Sequence, residues 1–241
     1  MNIDITFDNN WKKIAVSLSG GADSALLTYL LCKKITNNKS PIEVHVISHI
    51  RGWKTKPWQE HDGIRIYNWM VNQFPNIKFI RHANFIPPEF EHGYKNSVLL
   101  TDEYNKSVSG DTIEIRAFAE YVCFHNNIDA YFNGVTRNPI GVTVAGALPA
   151  RNIEPTDDNQ YLVKTMHMGK LACHPFRFVD KSWIVLQYKL LEIEELFKLT
   201  RSCEGEFRGL DYNNYVPNQN VPLCGECFWC KERAWAIEQS K

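Results

Sequence analysis

The chain has 241 residues and 44% hydrophobic content, enough to bury a sizeable core as one large domain or as a domain with an appendage. Its 27 basic and 27 acidic residues balance at a pI near 7.1, which argues against nucleic acid as a partner over any large surface. No stretch approaches the ~18 apolar residues of a membrane span, and the polar opening MNIDITFDNN does not read as a signal peptide, so the expected compartment is the cytoplasm.

Ile14–Leu18 reads as a buried strand, and Asp23–Thr36 as a helix with Leu26, Leu27, Leu30 and Leu31 on its inner side. Between them stands Ser19-Gly20-Gly21-Ala22-Asp23-Ser24, a turn with the makings of an anion site. The glycines can take positive φ and bring backbone N–H groups close to a ligand. Ser19 and Ser24 add hydroxyls, and the positive end of the helix points to the same place. Asp23 repels a phosphate; it fits either as an N-cap or as a ligand for the Mg²⁺ that accompanies a nucleotide.

Ile42–Ile50 is the second predicted strand, followed by the polar, aromatic segment Arg51 to Trp58, a helix from Glu60 to Phe74 and a third strand over Ile77–Arg81. Asn84 to Gly110 is long and irregular, the length of a lid. Thr112–Asn126 is expected to be helical, capped by Asp111 or Thr112, and Ala130–Gly134 is the fourth strand. Gly141–Asp158 lacks periodicity, whereas Lys181–Leu199 has the apolar spacing of one continuous helix. Four alternations of strand and helix predict an α/β fold, a parallel sheet with helices on both faces. Ligands of such sheets sit beyond the carboxyl ends of the strands, where the Ser-Gly-Gly turn falls.

Three of the seven cysteines, Cys32, Cys123 and Cys173, lie in apolar surroundings and read as buried small hydrophobes. Cys224, Cys227 and Cys230 form C-x2-C-x2-C, with Cys203 upstream. Two-residue spacers let one tight turn present neighbouring thiolates to one metal, and four sulfurs suit tetrahedral Zn²⁺. Gly225 permits the turn, and a helix from Lys231 to Glu238 gives the knuckle a base. The competitor is an iron–sulfur cluster on the same four cysteines; zinc is preferred because nothing else suggests electron transfer. With no open coordination position the ion is structural.

The turn resembles the PP-loop (Ser-Gly-Gly-x-Asp-Ser) of the ATP pyrophosphatase superfamily, and lacks the spacing and lysine of a Walker A motif. Taken with Thr200-Arg201-Ser202-Cys203, Cys224-Gly225-Glu226-Cys227-Phe228-Trp229-Cys230 and Lys231-Glu232-Arg233, the chain resembles the 7-cyano-7-deazaguanine synthase family. The resemblance implies a Rossmann-like sheet of the adenine nucleotide alpha hydrolase-like kind over residues 1–199, with a zinc knuckle over 200–241 packed on it. It implies a ligase that uses ATP to adenylate a carboxylated 7-deazaguanine and ammonia to displace AMP, on the way to the nitrile.

Residue by residue, the resemblance places nucleotide binding at Leu18, Ser19, Gly20, Gly21, Ala22, Asp23 and Ser24, with Asp23 on Mg²⁺. Ser48 and His49, at the end of the second strand, would take the adenine edge with their backbone. Asn133-Gly134-Val135 is similar to the family's Gly-x-Asn strand end, with the order reversed. Lys181, after His174-Pro175-Phe176, would neutralise the leaving pyrophosphate, and Arg116 would hold a phosphate or the substrate carboxylate. Cys203, Cys224, Cys227 and Cys230 would hold the zinc, and members of the family often pair as homodimers. None of His49, His61, His82 and His92 is assigned as a general base, because a lone histidine is more often packed or solvated.

The chain departs from the family after the fourth strand. A Tyr-Ser-Gly-Tyr-Pro-Asp-Cys-Arg segment is usual there, and this chain has Thr136-Arg137-Asn138-Pro139. The changed segment leaves room for another acceptor of the same activation, a protein terminus in a defence or modification pathway. A third possibility is a tRNA-modifying enzyme whose knuckle stacks bases on Phe228, Trp229 and Trp235.

Overall fold

In the computed structural model the described residues are 5, 8, 10–51, 59–86, 110–139, 151, 163–165, 171–203 and 223–241, with backbone alone at 51, 110–114 and 163–165. The Arg51–Trp58 segment beyond its first residue, positions 87–109 of the expected lid with His92, and Gly141–Asp158 apart from Arg151 lie outside that description; Asp111 and Thr112, expected as caps, instead stand inside a helix that begins at Gly110.

The elements are β1 (Lys13–Ser17), α1 (Ala22–Asn37), β2 (Glu43–Arg51), α2 (Gln59–Gln73), β3 (Phe79–Ile86), α3 (Gly110–His125), β4 (Ala130–Phe132), β5 (Val163–Thr165), β6 (Leu171–Cys173), α4 (Lys181–Leu190), α5 (Glu194–Leu199) and α6 (Phe228–Gln239). They form one sheet in the order β3-β2-β1-β4-β6-β5, parallel except for β5, which runs against β6 at one edge. The fold is therefore the expected Rossmann-like α/β sheet. Strand order reverses between β1 and β4, so the crevice at their carboxyl ends is the place for a ligand.

Both faces of the sheet are covered, and each strand sends alternate residues into two apolar layers. Ile14 and Val16 join Val44, Val46, Ala130 and Phe132 under α1 and α4, with Leu26, Leu27, Leu31 and Ile184. Ala15, Ile47, Tyr131 and Ala172 face the other way, against Ala119, Val122 and Cys123 of α3. Cys32, Cys123 and Cys173 are buried as expected. Among the described residues no helix is long and apolar enough to cross a membrane.

Several elements differ from expectation; β4, for one, ends at Phe132 rather than Gly134. β3 is longer than expected, pairing with β2 over eight positions from Phe79 to Ile86. β5 and β6 are three-residue strands that give no pattern in the sequence. The continuous helix over 181–199 is instead two helices. Glu192 takes φ 57° and ends the first, while Glu192 N–H bonds to Lys189 O and Ile193 N–H to Tyr188 O. That pair of bonds is a Schellman closure, here with glutamate at the position where glycine is usual.

Candidate functional site

The turn after β1 is built from the residues of the Ser-Gly-Gly segment and braced from within. Gly20 has φ +81°, a conformation open to glycine at no steric cost. Gly21 is the N-cap of α1, so Asp23, inside the first turn, is not the cap. Ser24 Oγ accepts from Ser19 N–H at 3.2 Å and donates to Gly21 O at 3.1 Å, fixing the turn before any ligand arrives. The side chains of Leu18 and Ala22 belong to the core, each 1% exposed, and can offer a ligand only their backbone.

Gly134 follows β4 and lies against the start of α1. A Cβ there would stand 3.0 Å from the Asp23 carbonyl carbon and oxygen and 3.1 Å from Ser24 N. The absent side chain is what lets the end of β4 close on the helix terminus. Arg116 is different. It is exposed on α3, and among the described residues no ion pair joins it to the turn.

Two distant segments complete the turn. Arg201 N–H bonds to Gly20 O at 2.8 Å, and Ser202 Oγ lies 3.2 Å from where a Gly21 side chain would begin. Arg233 of α6 fastens this segment, donating to Thr200 Oγ1 at 2.9 Å and to Phe197 O at 3.1 Å. Lys181 arrives from the start of α4, where the Asp180 side chain caps the helix by accepting from Ser182 N–H at 3.0 Å. Its Nζ bonds to Asp23 Oδ2 at 2.5 Å while the residue is 3% exposed, far from the solvated lysine usual in a first helical turn. Tyr188, two turns further on the buried side of α4, donates to Ala22 O at 2.6 Å. Burial, then the nearby Asp23 charge, raise its phenol well above 10, so it remains a neutral donor.

Sequence reasoning missed the groups behind Lys181. Glu232 of α6 is fully buried, with Oε2 3.9 Å from Lys181 Nζ and Oε1 2.6 Å from Arg151 Nη2. Burial raises its carboxyl pKa, opposed by the charges of Lys181 and Arg151. Arg151 also donates to Thr136 O, Thr136 Oγ1 and Arg137 O at 2.7–2.8 Å, and its guanidinium lies over the Phe228 and Trp229 rings. Those aromatics therefore form a floor for Arg151. The available signal was a charged residue sharing the buried stripe of a helix with Ala236, four positions on.

Beside Gly20 the first turn of α2 adds Gln59 and Asp62. Asp62 Cβ and Gln59 O are 3.5 and 3.8 Å from a Cβ built at Gly20. Ser48, at the end of β2, is 4% exposed, and His49 packs edge-on against Phe118. Ser48 Oγ, Gln59 Oε1 and Asp62 Oδ2 are buried without a hydrogen-bond partner. This flank of the turn is thus rich in acceptors and suits a ligand edge that carries N–H or O–H donors. Burial raises the Asp62 pKa, opposed by the charges of Arg201 and Arg65.

The four sulfurs of Cys203, Cys224, Cys227 and Cys230 converge, all within 4.8 Å of one another. Cys224 Sγ accepts from Cys227 N–H at 3.3 Å, and Cys203 Sγ from Cys224 N–H at 3.4 Å. Burial raises the Cys224 thiol, but backbone N–H groups of Cys227 and Glu226 outweigh it and bring the pKa down to about 7. Gly225 has φ +74°, the left-handed turn expected between the first two thiols. Such a set of soft donors fits a tetrahedral metal ion.

The class defined by these features is an α/β sheet protein with an anion-ready turn at its topological switch point and a four-thiol metal site beside it. No protein-family model matches the chain, and no curated protein matches it. Among solved structures it is similar to the U34-tRNA thiolase NcsA from Methanococcus maripaludis with its [4Fe-4S] cluster, at 14% identity and a TM-score of 0.44. The likeness covers 83% of this chain and 61% of that one.

Proposed function

We propose that the chain is a PP-loop enzyme of the ATP pyrophosphatase type, a ligase that adenylates the carboxylate of a 7-deazaguanine and uses ammonia to form 7-cyano-7-deazaguanine. The single observation that carries this is Lys181, a buried cation brought by another helix onto Asp23 inside the Ser-Gly-Gly turn. A buried lysine–carboxylate pair at a helix N-terminus is a poor stabilising device. It makes sense where a polyanion and its cation are to be received.

In this assignment the backbone N–H groups of the turn, with Ser19 and Ser24, hold the outer phosphates of ATP. A substrate carboxylate oxygen attacks the α-phosphorus as the bond to the β-phosphate breaks. Lys181 and the turn meet the charge that gathers on pyrophosphate, which is electrostatic preorganisation. Ammonia then attacks the acyl carbon and AMP leaves, giving the amide; a second ATP drives loss of the amide oxygen to the nitrile. Asp23 fits a ligand of Mg²⁺, since its Oδ1 is buried with no hydrogen-bond partner; the ion would supply charge neutralisation on the phosphates. The acceptor-rich flank at Ser48, Gln59 and Asp62 offers partners for donors on a purine-like edge.

The four cysteines are proposed to hold structural Zn²⁺. Thiolates bound to one zinc at about 2.3 Å stand about 3.8 Å apart, and Cys224 Sγ lies 3.8 Å from Cys230 Sγ. Thiolates of a [4Fe–4S] cluster each bind a separate iron atom and stand further apart, whereas the four sulfurs here all lie within 4.8 Å of one another.

Incubation with ATP, Mg²⁺, ammonia and carboxylated 7-deazaguanine tests the proposal by chromatography of the products. Two AMP and two pyrophosphate per nitrile are expected. Release of ADP, or no nucleotide cleavage with this acceptor, sinks it.

A further inference from the structure

Four buried or half-buried charges alternate in sign away from the turn: Asp23, Lys181, Glu232 and Arg151. Lys181 is closed on Asp23 Oδ2, and the second carboxylate, Glu232, waits 3.9 Å behind it. Two oxygens of this ladder are buried and accept nothing, Asp23 Oδ1 on the turn side and Glu232 Oε2 on the far side. Glu232 does not reach the turn. Its other oxygen is fixed by Arg151, which is itself tied to the backbone that follows β4. The glutamate thus stands 3.9 Å from Lys181 on a rigid support, with an oxygen that accepts no hydrogen bond, beside an ammonium already engaged elsewhere.

We propose that Glu232 is a positioning residue that takes over Lys181 when Asp23 turns to the magnesium of a bound nucleotide. This rests on the nucleotide role proposed above for the same turn. In the ligand-free protein Asp23 is occupied by its own lysine, so a divalent cation that needs Asp23 must open an ion pair. Opening it beside no other anion would strand a buried ammonium, which is costly. Glu232 removes that cost, because a small movement of Nζ exchanges one carboxylate for the other. An ammonium has three donors, so one N–H kept by Glu232 leaves two for phosphate oxygens. The ladder is then a hand-over: Asp23 is released to the cation while Lys181 stays charged and aimed into the turn.

The charge-removing, shape-conserving variant Glu232→Gln tests this by calorimetric binding of the α,β-methylene analogue of ATP, which cannot be cleaved at its inner bond. Titrations are run with saturating Mg²⁺ and in magnesium-free buffer without chelator, since a chelator would also strip thiolate-bound metal. With Mg²⁺ the variant should bind about tenfold more weakly than wild type. Without Mg²⁺ its affinity should be unchanged or higher, because the site has lost a negative charge. In an Asp23→Asn background, Glu232→Gln should no longer weaken binding specifically in the Mg²⁺ buffer, as there is no pair left to open. Equal weakening with and without Mg²⁺ would mean a structural role only and overturns the hand-over, as does unchanged binding in both. If the variant does not fold, a wild-type crystal structure with Mg²⁺ and the analogue decides. Lys181 should then have left Asp23 for Glu232 Oε2, and an intact Asp23–Lys181 pair overturns the proposal. Absence of nucleotide binding by the wild-type protein in both buffers is a separate result, which sinks the nucleotide role itself and this proposal with it.

Discussion

At position 134 a single methyl group would meet main-chain atoms of Asp23 and Ser24 at 3.0–3.1 Å. Backbone cannot step aside as a flexible side-chain end can, so Gly134→Ala forces the end of β4 away from the first turn of α1. Overpacking of that kind costs about 1–3 kcal/mol. The expected result is a lower urea midpoint together with weaker nucleotide binding by calorimetry; a loss of stability with binding intact would show that the close approach serves packing alone. The shape of the turn was legible in the sequence because glycine and serine between a strand and a helix have few other uses; Gly134 was singled out through the resemblance alone. Lys181 was singled out by the resemblance for a phosphate role, and its contact with Asp23 was not foreseen. Glu232 was not legible, since a glutamate in a short, polar C-terminal helix reads as solvated until a buried lysine and arginine are seen around it. Arg116 was placed at the site by resemblance and stands exposed on α3.

Helix ends explain much of what the element pattern concealed. α1, α3 and α4 all stop with a left-handed residue that is not glycine: Lys39, Asn127 and Glu192. In each case the next N–H reaches back to the fifth residue before it, from Ser40 to Ile35, Ile128 to Cys123 and Ile193 to Tyr188. Periodic leucines on both sides of Glu192 look continuous in sequence, and without glycine nothing marks the break. The left-handed conformation costs an L-residue about 1–2 kcal/mol, while glycine loses about 0.5–1 kcal/mol in chain entropy. Glu192→Gly should therefore raise stability by roughly 0.5 kcal/mol, read from the urea midpoint; a decrease would mean that the glutamate side chain has a role of its own. β2 and β3 carry a second concealed feature. His45 and His82 stack at 5.0 Å, with His45 Nδ1 2.8 Å from His82 Nε2 and His45 Nε2 2.6 Å from Glu43 Oε1. Burial lowers both histidine pKa values from 6.5, and Glu43 only partly offsets this for His45. The unfolded chain then binds more protons than the native one just below pH 6.5, so these two groups cost stability as pH falls through that value. Asp62 and Glu232, with raised pKa values, work in the opposite sense above about pH 4. The difference between wild type and His45→Gln/His82→Gln isolates the histidines. The variant should lose less stability between pH 7.5 and 5.5, and equal losses would refute the assignment.

Across the whole molecule the sheet was legible because each long strand and helix carries its own hydrophobic signal. β5 and β6 carry none over three residues, and their pairing is decided by the neighbours they find. The junction between the thiol segment and the turn was equally invisible, since Arg201 and Gly20 meet only after the chain has folded back on itself. Cys203 and Cys230 lie within two residues of Arg201 and Glu232, so both ends of the thiol site run directly into groups that support the turn. Removing metal with dipicolinate should therefore lower hydrogen-exchange protection in residues 18–26 as well as in α6. Unchanged protection at the turn after metal loss would show that the two sites are independent. The backbone bond from Arg201 to Gly20 also sets an order of events during synthesis. While residues beyond 199 are still inside the ribosomal tunnel, the sheet's first four strands have already emerged, yet the Gly20 carbonyl has no partner and Lys181 lacks its second carboxylate. The nascent sheet can thus assemble before the turn has all its supports, because those supports come from positions 201 and 232, far along the chain.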